Sequence, residues 1–264
     1  MVAPVIMNGS VSIAEALREV RDRIGEAAIR AARDPADICL VAVTKTIPAT
    51  AVVEAYDAGQ RHFGENRPEE GAEKIPQVVR RMGPMGPAAG GLMHSGSSPV
   101  WHMIGHVQSR KADLVVAHFD VVHSVDRLRI AQRLSGHAVA AVREIPVLLE
   151  CNVSGEASKY GYRVAGWERD ADLRAALRAD VAAVAALPGL RIEGLMTMAP
   201  LSEDLSVARA TFSSLRALRD DLQEQFPSLD LHQLSMGMTD DFEVAIEEGA
   251  TLVRIGRAIF GSRR

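Results

Sequence analysis

Short apolar runs alternate with longer amphipathic stretches through most of this chain. The first element is helical. Ser12 and Glu15 stand at capping-box spacing, and Ile13, Leu17, Val20, Ile24 and Ala28 then share one face, which predicts a helix from Ser12 to Ala32. After Asp34-Pro35 the period changes. Strands are predicted at Ile38–Thr44, Arg61–Gly64, Val100–Ile104, Val121–Ser124, Pro146–Cys151, Arg191–Met196, Leu231–Leu234 and Thr251–Ile255. Helical patterns fall between them, at Ala49–Ala58, Arg127–Ala141, Asp170–Ala186, Ser206–Gln225 and Asp240–Glu248.

Eight strands alternating with helices imply a parallel sheet, and runs such as Leu148-Leu149 and Leu252-Val253 suit strands buried on both faces. Eight such units in about 250 residues match a closed TIM-type (β/α)8 barrel, preceded here by an extra N-terminal helix. The alternative is an open doubly wound sheet. That fold carries a glycine-rich turn after its first strand, where this chain has Thr44-Lys45-Thr46. The expectation is therefore one α/β barrel domain over residues 1–264. One segment breaks the pattern: Gly83–Pro99 holds five Gly, three Pro and three Ser and reads as a flexible insert.

Composition narrows the function. A net charge of −4 offers no electrostatic reason to bind nucleic acid or an anionic membrane. No apolar run approaches the roughly 20 residues of a membrane helix, and Met1–Ser10 has no signal-peptide pattern. A cytoplasmic protein is expected, with Cys39 and Cys151 as reduced thiols in apolar runs.

Of 30 basic residues only four are Lys, namely Lys45, Lys74, Lys111 and Lys159. Arg is never deprotonated, so it cannot form a Schiff base. Lys45, at the end of the first predicted strand, is a candidate for amine chemistry in a desolvated site, or else a side chain snorkelling to water. Position alone leaves both readings open. In a (β/α)8 barrel the strands' C-terminal ends carry the active site, and unusual residues collect there. Glu65-Asn66, Gly105-His106, Asp126, Asn152 and Met196-Thr197-Met198 end successive strands. Ser235-Met236-Gly237-Met238-Thr239 and Arg254-Ile255-Gly256-Arg257 end the last two and read as phosphate loops, across the barrel from Lys45. Together these features point to a phosphorylated carbonyl ligand. His102 and His106 lack a visible third ligand for a metal, and Lys159 is solvated or an auxiliary amine at the rim.

The ordered motifs Ala42-Val43-Thr44-Lys45-Thr46, Phe63-Gly64-Glu65-Asn66, Trp101–Gln108, Ser158-Lys159-Tyr160-Gly161, Gly194–Met198, Leu234–Asp241 and Val253–Gly261 resemble those of the pyridoxal 5'-phosphate (PLP) homeostasis proteins. The resemblance runs from about residue 10 to 262, outside the insert, and extends to the fold-type III barrel of alanine racemase. It implies that Lys45 holds PLP as an internal aldimine and that Ser235, Gly237, Thr239, Gly256 and Arg257 hold the phosphate. It sets Arg254 at the pyridine nitrogen, Asn66, Met103 and Ile104 beside the ring, and Met196 in the wall. It also implies a protein of vitamin B6 homeostasis that carries or buffers PLP without turnover. PLP-accepting apoenzymes are the implied recipients, and one complete barrel is expected to be a monomer.

Arg257 departs from the small or hydroxyl residue common at that position, and Arg110 from a frequent Asn. An Arg at the pyridine nitrogen disfavours its protonation and weakens the ring as an electron sink. Racemases with this arrangement add a second base from a further domain and a partner subunit. None of Tyr56, Tyr160 and Tyr162 is obviously placed as one. A PLP-dependent racemase or related enzyme is the alternative, followed by a Schiff-base aldolase for a phosphosugar.

Overall fold

Ser12 Oγ accepts the Glu15 N–H at 3.2 Å, and Glu15 Oε2 accepts the Ser12 N–H at 2.9 Å. This capping box opens helix α1, Ile13–Arg30. The structure is a computed structural model and describes residues 12–82 and 98–261. Most of the expected Gly83–Pro99 insert, residues 83–97, lies outside the described residues.

Strands and helices then alternate. They are β1 (Cys39–Val43), α2 (Ala49–Asp57), β2 (His62–Glu65), α3 (Pro68–Met82), β3 (Val100–Met103), α4 (Ala112–His118), β4 (Val121–Val125) and α5 (Leu128–Ala140). The second half runs β5 (Ile145–Asn152), β6 (Tyr162–Arg163), α6 (Ala171–Ala185), β7 (Leu190–Met196), α7 (Leu205–Gln225), β8 (Gln233–Ser235), α8 (Phe242–Glu247), β9 (Leu252–Ile255) and α9 (Arg257–Phe260). All strand pairings are parallel. β4 pairs with β5, and β1 pairs with β9, which closes an eight-stranded TIM-type barrel and removes the open-sheet alternative.

Two differences from the sequence pattern have local causes. The two-residue β6 adds to the end of β5 at Cys151 and Asn152, outside the ring. It is too short and polar to give a period-2 signal. The seventh predicted strand begins later than expected, at Gln233, because the Leu231 N–H is taken by Gln223 Oε1 of α7 at 2.8 Å and not by a neighbouring strand.

The core has two layers. Val41, Val100, Val121, Leu148, Met196 and Leu252 come from strands alone and fill the barrel interior. The larger cluster joins the strands' outer faces to the helices. α1 contributes Leu17, Val20 and Ile24 to that outer layer and packs on α2, α8 and α9. No described helix is long and apolar enough to cross a membrane.

Leu17 is fully buried. Leu17→Ala is expected to lower unfolding free energy by about 2–5 kcal/mol, because the lost contacts and the residual cavity add. Urea denaturation measures it. A loss below about 1 kcal/mol would mean that α1 contributes little to the outer core.

Candidate functional site

Lys45 follows β1 in a tight turn and is half-buried. The next residue, Thr46, has φ +64, a left-handed conformation that a β-branched residue adopts only when its surroundings hold it there. The surroundings are a buried ionic cluster. From α3, Lys74 Nζ donates to Thr44 O at 2.6 Å, Glu65 Oε1 at 2.7 Å and Glu70 Oε1 at 2.8 Å. Thr44 Oγ1 donates to the same Glu65 oxygen at 2.7 Å, and the Thr46 N–H donates to Glu70. Both neighbours of Lys45 are thus pinned to one ammonium group. Burial pushes the Glu65 carboxyl up, while Lys74 and Thr44 pull it down. Sequence reasoning missed this cluster. Its one signal was Lys74, a rare Lys on a helix next to a strand-end Glu.

The barrel closure brings the second part of the site alongside. Val41 pairs with Arg254 and Ala42 with Ile255, so the chain segments that follow, Val43–Lys45 and Gly256–Arg257, are neighbours. A Cβ on Gly256 would lie 3.1 Å from Val43 O and 3.2 Å from Val43 Cβ. The β9 loop therefore adjoins Lys45, and its expected position across the barrel is corrected by the β1–β9 pairing. Gly237 has φ +95, and a Cβ there would stand 2.6 Å from Ala245 Cβ. Its carbonyl accepts the Arg254 N–H at 2.9 Å, which joins the β8 and β9 ends. Thr239 is half-buried on the same loop.

Arg254 points into the barrel and is 5% exposed. Its Nη1 donates to Ser235 Oγ at 2.5 Å and its Nη2 to Thr197 O at 2.9 Å. Burial lowers its guanidinium to about 10, with Asp241 and Glu150 opposing, so it stays charged at neutral pH. The Ser235 side chain is committed inside the barrel, to Arg254 and to His123 Nδ1 at 2.8 Å. That corrects the expectation that its hydroxyl serves the phosphate. The Arg257 side chain turns outward to an exposed ion pair with Asp240 and ties the β8 loop to the β9 loop, so only its backbone remains for a ligand.

The remaining expected site residues divide. Met196 lies in the interior layer. Ile104 reaches the space between β1 and β3, since a Cβ on Gly64 would meet both Ile104 Cδ1 and Val41 Cγ1 at 3.0 Å. The Asn66 backbone is packed against Gly105, and its Oδ1 is buried with no hydrogen-bond partner among the described residues. Met103 is corrected by strand alternation. His102 faces inward, and Met103 is fully buried in the layer between strands and helices.

His102 and His106 diverge. His102 bonds to His62 and His123 in the interior. His106, at the mouth, stacks on Tyr160 with ring centroids 4.1 Å apart and has Nδ1 3.0 Å from Asp126 Oδ2. Among the described residues no group of three His, Cys, Asp or Glu could hold a metal ion. Asn152 braces the loop after β5, accepting from the Gly155 N–H and donating to Glu156 O. Lys159 lies 3.8 Å from Glu156. Cys39 and Cys151 are free thiols, and burial pushes Cys39 up to about 12.

A family model described as the N-terminal domain of alanine racemase matches residues 17–264. The chain is 44% identical over 255 residues to the pyridoxal phosphate homeostasis protein of Escherichia coli, covering 95% of this chain and 97% of that one. The protein of the same name from Pseudomonas aeruginosa is 44% identical over 253 residues, 96% of each chain. PipY of Synechococcus elongatus, solved with PLP bound, is 34% identical and superposes with a TM-score of 0.76 over 95% of this chain and 100% of that one. An alanine racemase from Clostridium difficile superposes with a TM-score of 0.66 at 13% identity, over 94% of this chain and 57% of the racemase, a likeness of fold alone.

Glu150, on the inner face of β5, is 3% exposed. Burial and Asp126 push its carboxyl up to about 7, against the pull of Arg254. The ordinary carboxyl value is 4.5, so between about 4.5 and 7 the folded state holds a proton that the unfolded chain has released. Stability therefore falls as pH rises through that window. Glu150→Gln is expected to flatten this fall. Urea midpoints at about pH 5 and about pH 8 should drop less in the variant than in the parent, and an equal drop would overturn the assignment.

Proposed function

Because the chain belongs to the pyridoxal phosphate homeostasis protein family, which is built on the alanine racemase N-terminal barrel, we propose that it binds PLP and takes part in PLP homeostasis. Lys45 supplies the amine that holds the cofactor aldehyde. One arrangement carries this reading: the turn of Lys45 adjoins the glycine turn at Gly256, which packs on Val43, above the buried guanidinium of Arg254.

PLP supplies an electrophilic aldehyde and an electron-withdrawing ring. The protein's part is to hold and orient it. Lys74, through Thr44 and the Glu70 contact with Thr46, fixes the turn that presents Lys45. Gly237 and Gly256 let the β8 and β9 loops pack closely on Ala245 and Val43, and the Gly256, Arg257 and Thr239 N–H groups are the anion donors. Arg254 donates toward the ring nitrogen. Asn66 Oδ1 offers an unmatched acceptor at the mouth. The same reading takes the protein as a cytoplasmic monomer that passes PLP to apoenzymes. Closure of the eight-stranded ring supports the monomer, since among the described strands only the two-residue β6 outside it keeps an unpaired edge.

The parent protein is expected to be yellow, or to become so with added PLP, and Lys45→Ala to stay colourless while folding normally. A parent that takes up no PLP would overturn the reading. Gly256→Val should press on Val43, displace the β9 loop and weaken PLP retention by about tenfold or more, equivalent to about 1.4 kcal/mol. Spectrophotometric titration reads both variants.

A further inference from the structure

Three histidines run in single file through the barrel interior. His62 Nδ1 stands 3.0 Å from His102 Nε2, and His102 Nδ1 stands 2.8 Å from His123 Nε2. His123 Nδ1 is 2.8 Å from Ser235 Oγ, which accepts from Arg254. The register explains the file. His62 pairs with Val100, so His102 sits one inward position higher, and His102 pairs with Val121, so His123 sits one higher again. The string steps two residues up at each strand across β2, β3 and β4, with successive ring centroids 5.2 and 5.0 Å apart.

Its lower end reaches the opposite mouth. His62 lines a cavity of about 480 Å³ with Cys39 and Gln60, at the starts of β1 and β2. Burial lowers His62 to about 4 and holds His102 and His123 well below the usual imidazole value. All three rings are therefore neutral at pH 7, and each has one donor and one acceptor.

That condition gives the string a direction. Arg254 has only donors, so Ser235 Oγ accepts from it. The Ser235 hydroxyl then donates to His123 Nδ1, and each ring passes an Nε2–H to the next. The opposite sense would aim two N–H groups at one oxygen and leave the hydroxyl proton without a partner among the described contacts.

We propose that His62, His102 and His123 are positioning residues, a hydrogen-bond relay that sets Ser235 and Arg254 from the cavity at the barrel's far mouth. The proposal rests on the PLP reading above. The relay transfers no net proton and only fixes donor direction. Breaking it at His62, which touches neither Lys45 nor the loops after β8 and β9 in any described contact, changes how Arg254 meets the ring nitrogen.

The test uses the full chain labelled with 15N-histidine. All three rings should be neutral Nε2–H tautomers at pH 7. His62→Leu leaves the His102 donor unmatched. It should alter the His102 and His123 resonances, shift the absorption maximum of bound PLP and weaken its retention roughly three- to tenfold. His62→Gln keeps an acceptor oxygen and should restore parental behaviour. Mixed tautomers in the parent overturn the relay whether or not a variant folds. A His62→Leu protein with an unchanged PLP spectrum and unchanged His123 also overturns it. A parent that takes up no PLP overturns the function proposed above instead, and its histidine tautomers still decide the relay.

Discussion

The pairing of β1 with β9 is the constraint on which the rest depends. Cys39 to Ala42 align with Leu252 to Ile255, and that register sets the end of the first strand beside the end of the last. From it follow the closeness of Lys45 to Gly256 and the position of Arg254 two inward places below Lys45. The closed ring also gives the barrel an interior sealed by Val41, Leu148 and Leu252. An open sheet would separate these residues by its full width.

A sealed interior makes charge expensive, and each buried charge here is matched in its own way. Lys74 is matched by carboxylates, with Glu65 fully buried beneath it. Arg254 is matched by neutral acceptors, Ser235 Oγ and Thr197 O, while Glu150 and Asp241 act on it through their fields. The first cluster fixes a turn and the second faces the mouth. Removing one partner from either leaves an uncompensated ion, a more severe change than removing the whole group.

The two loops of the site share a further economy of shape. Gly237 and Gly256 are small because Ala245 and Val43 already occupy the space a side chain would need. The exposed pair of Arg257 with Asp240 joins the same loops from outside. From the sequence Arg257 stood out as a departure from the small or hydroxyl residue common at that position. In the fold its charge is spent on a neighbour, and its side chain points to solvent.

Much of the fold was legible in the chain. Apolar runs buried on both faces marked the strands, amphipathic periods marked the helices, and their number implied closure. The strand-end placement of Lys45, Gly237, Gly256 and Arg254 was legible because strand ends collect at one mouth. Which residues face each other was not legible, because register and alternation are set by pairing between distant segments. A shift of one residue turns Met103 outward and His102 inward. The sequence by itself therefore determined the alternation of elements, the strand-end amine and the glycine loops at the same mouth. Only the tertiary structure decided that Lys74 pins the Lys45 turn, that Ser235 turns away from the mouth, and that three histidines on adjacent strands form one line. Those contacts arise when closure stacks inward positions from separate strands in one dry space.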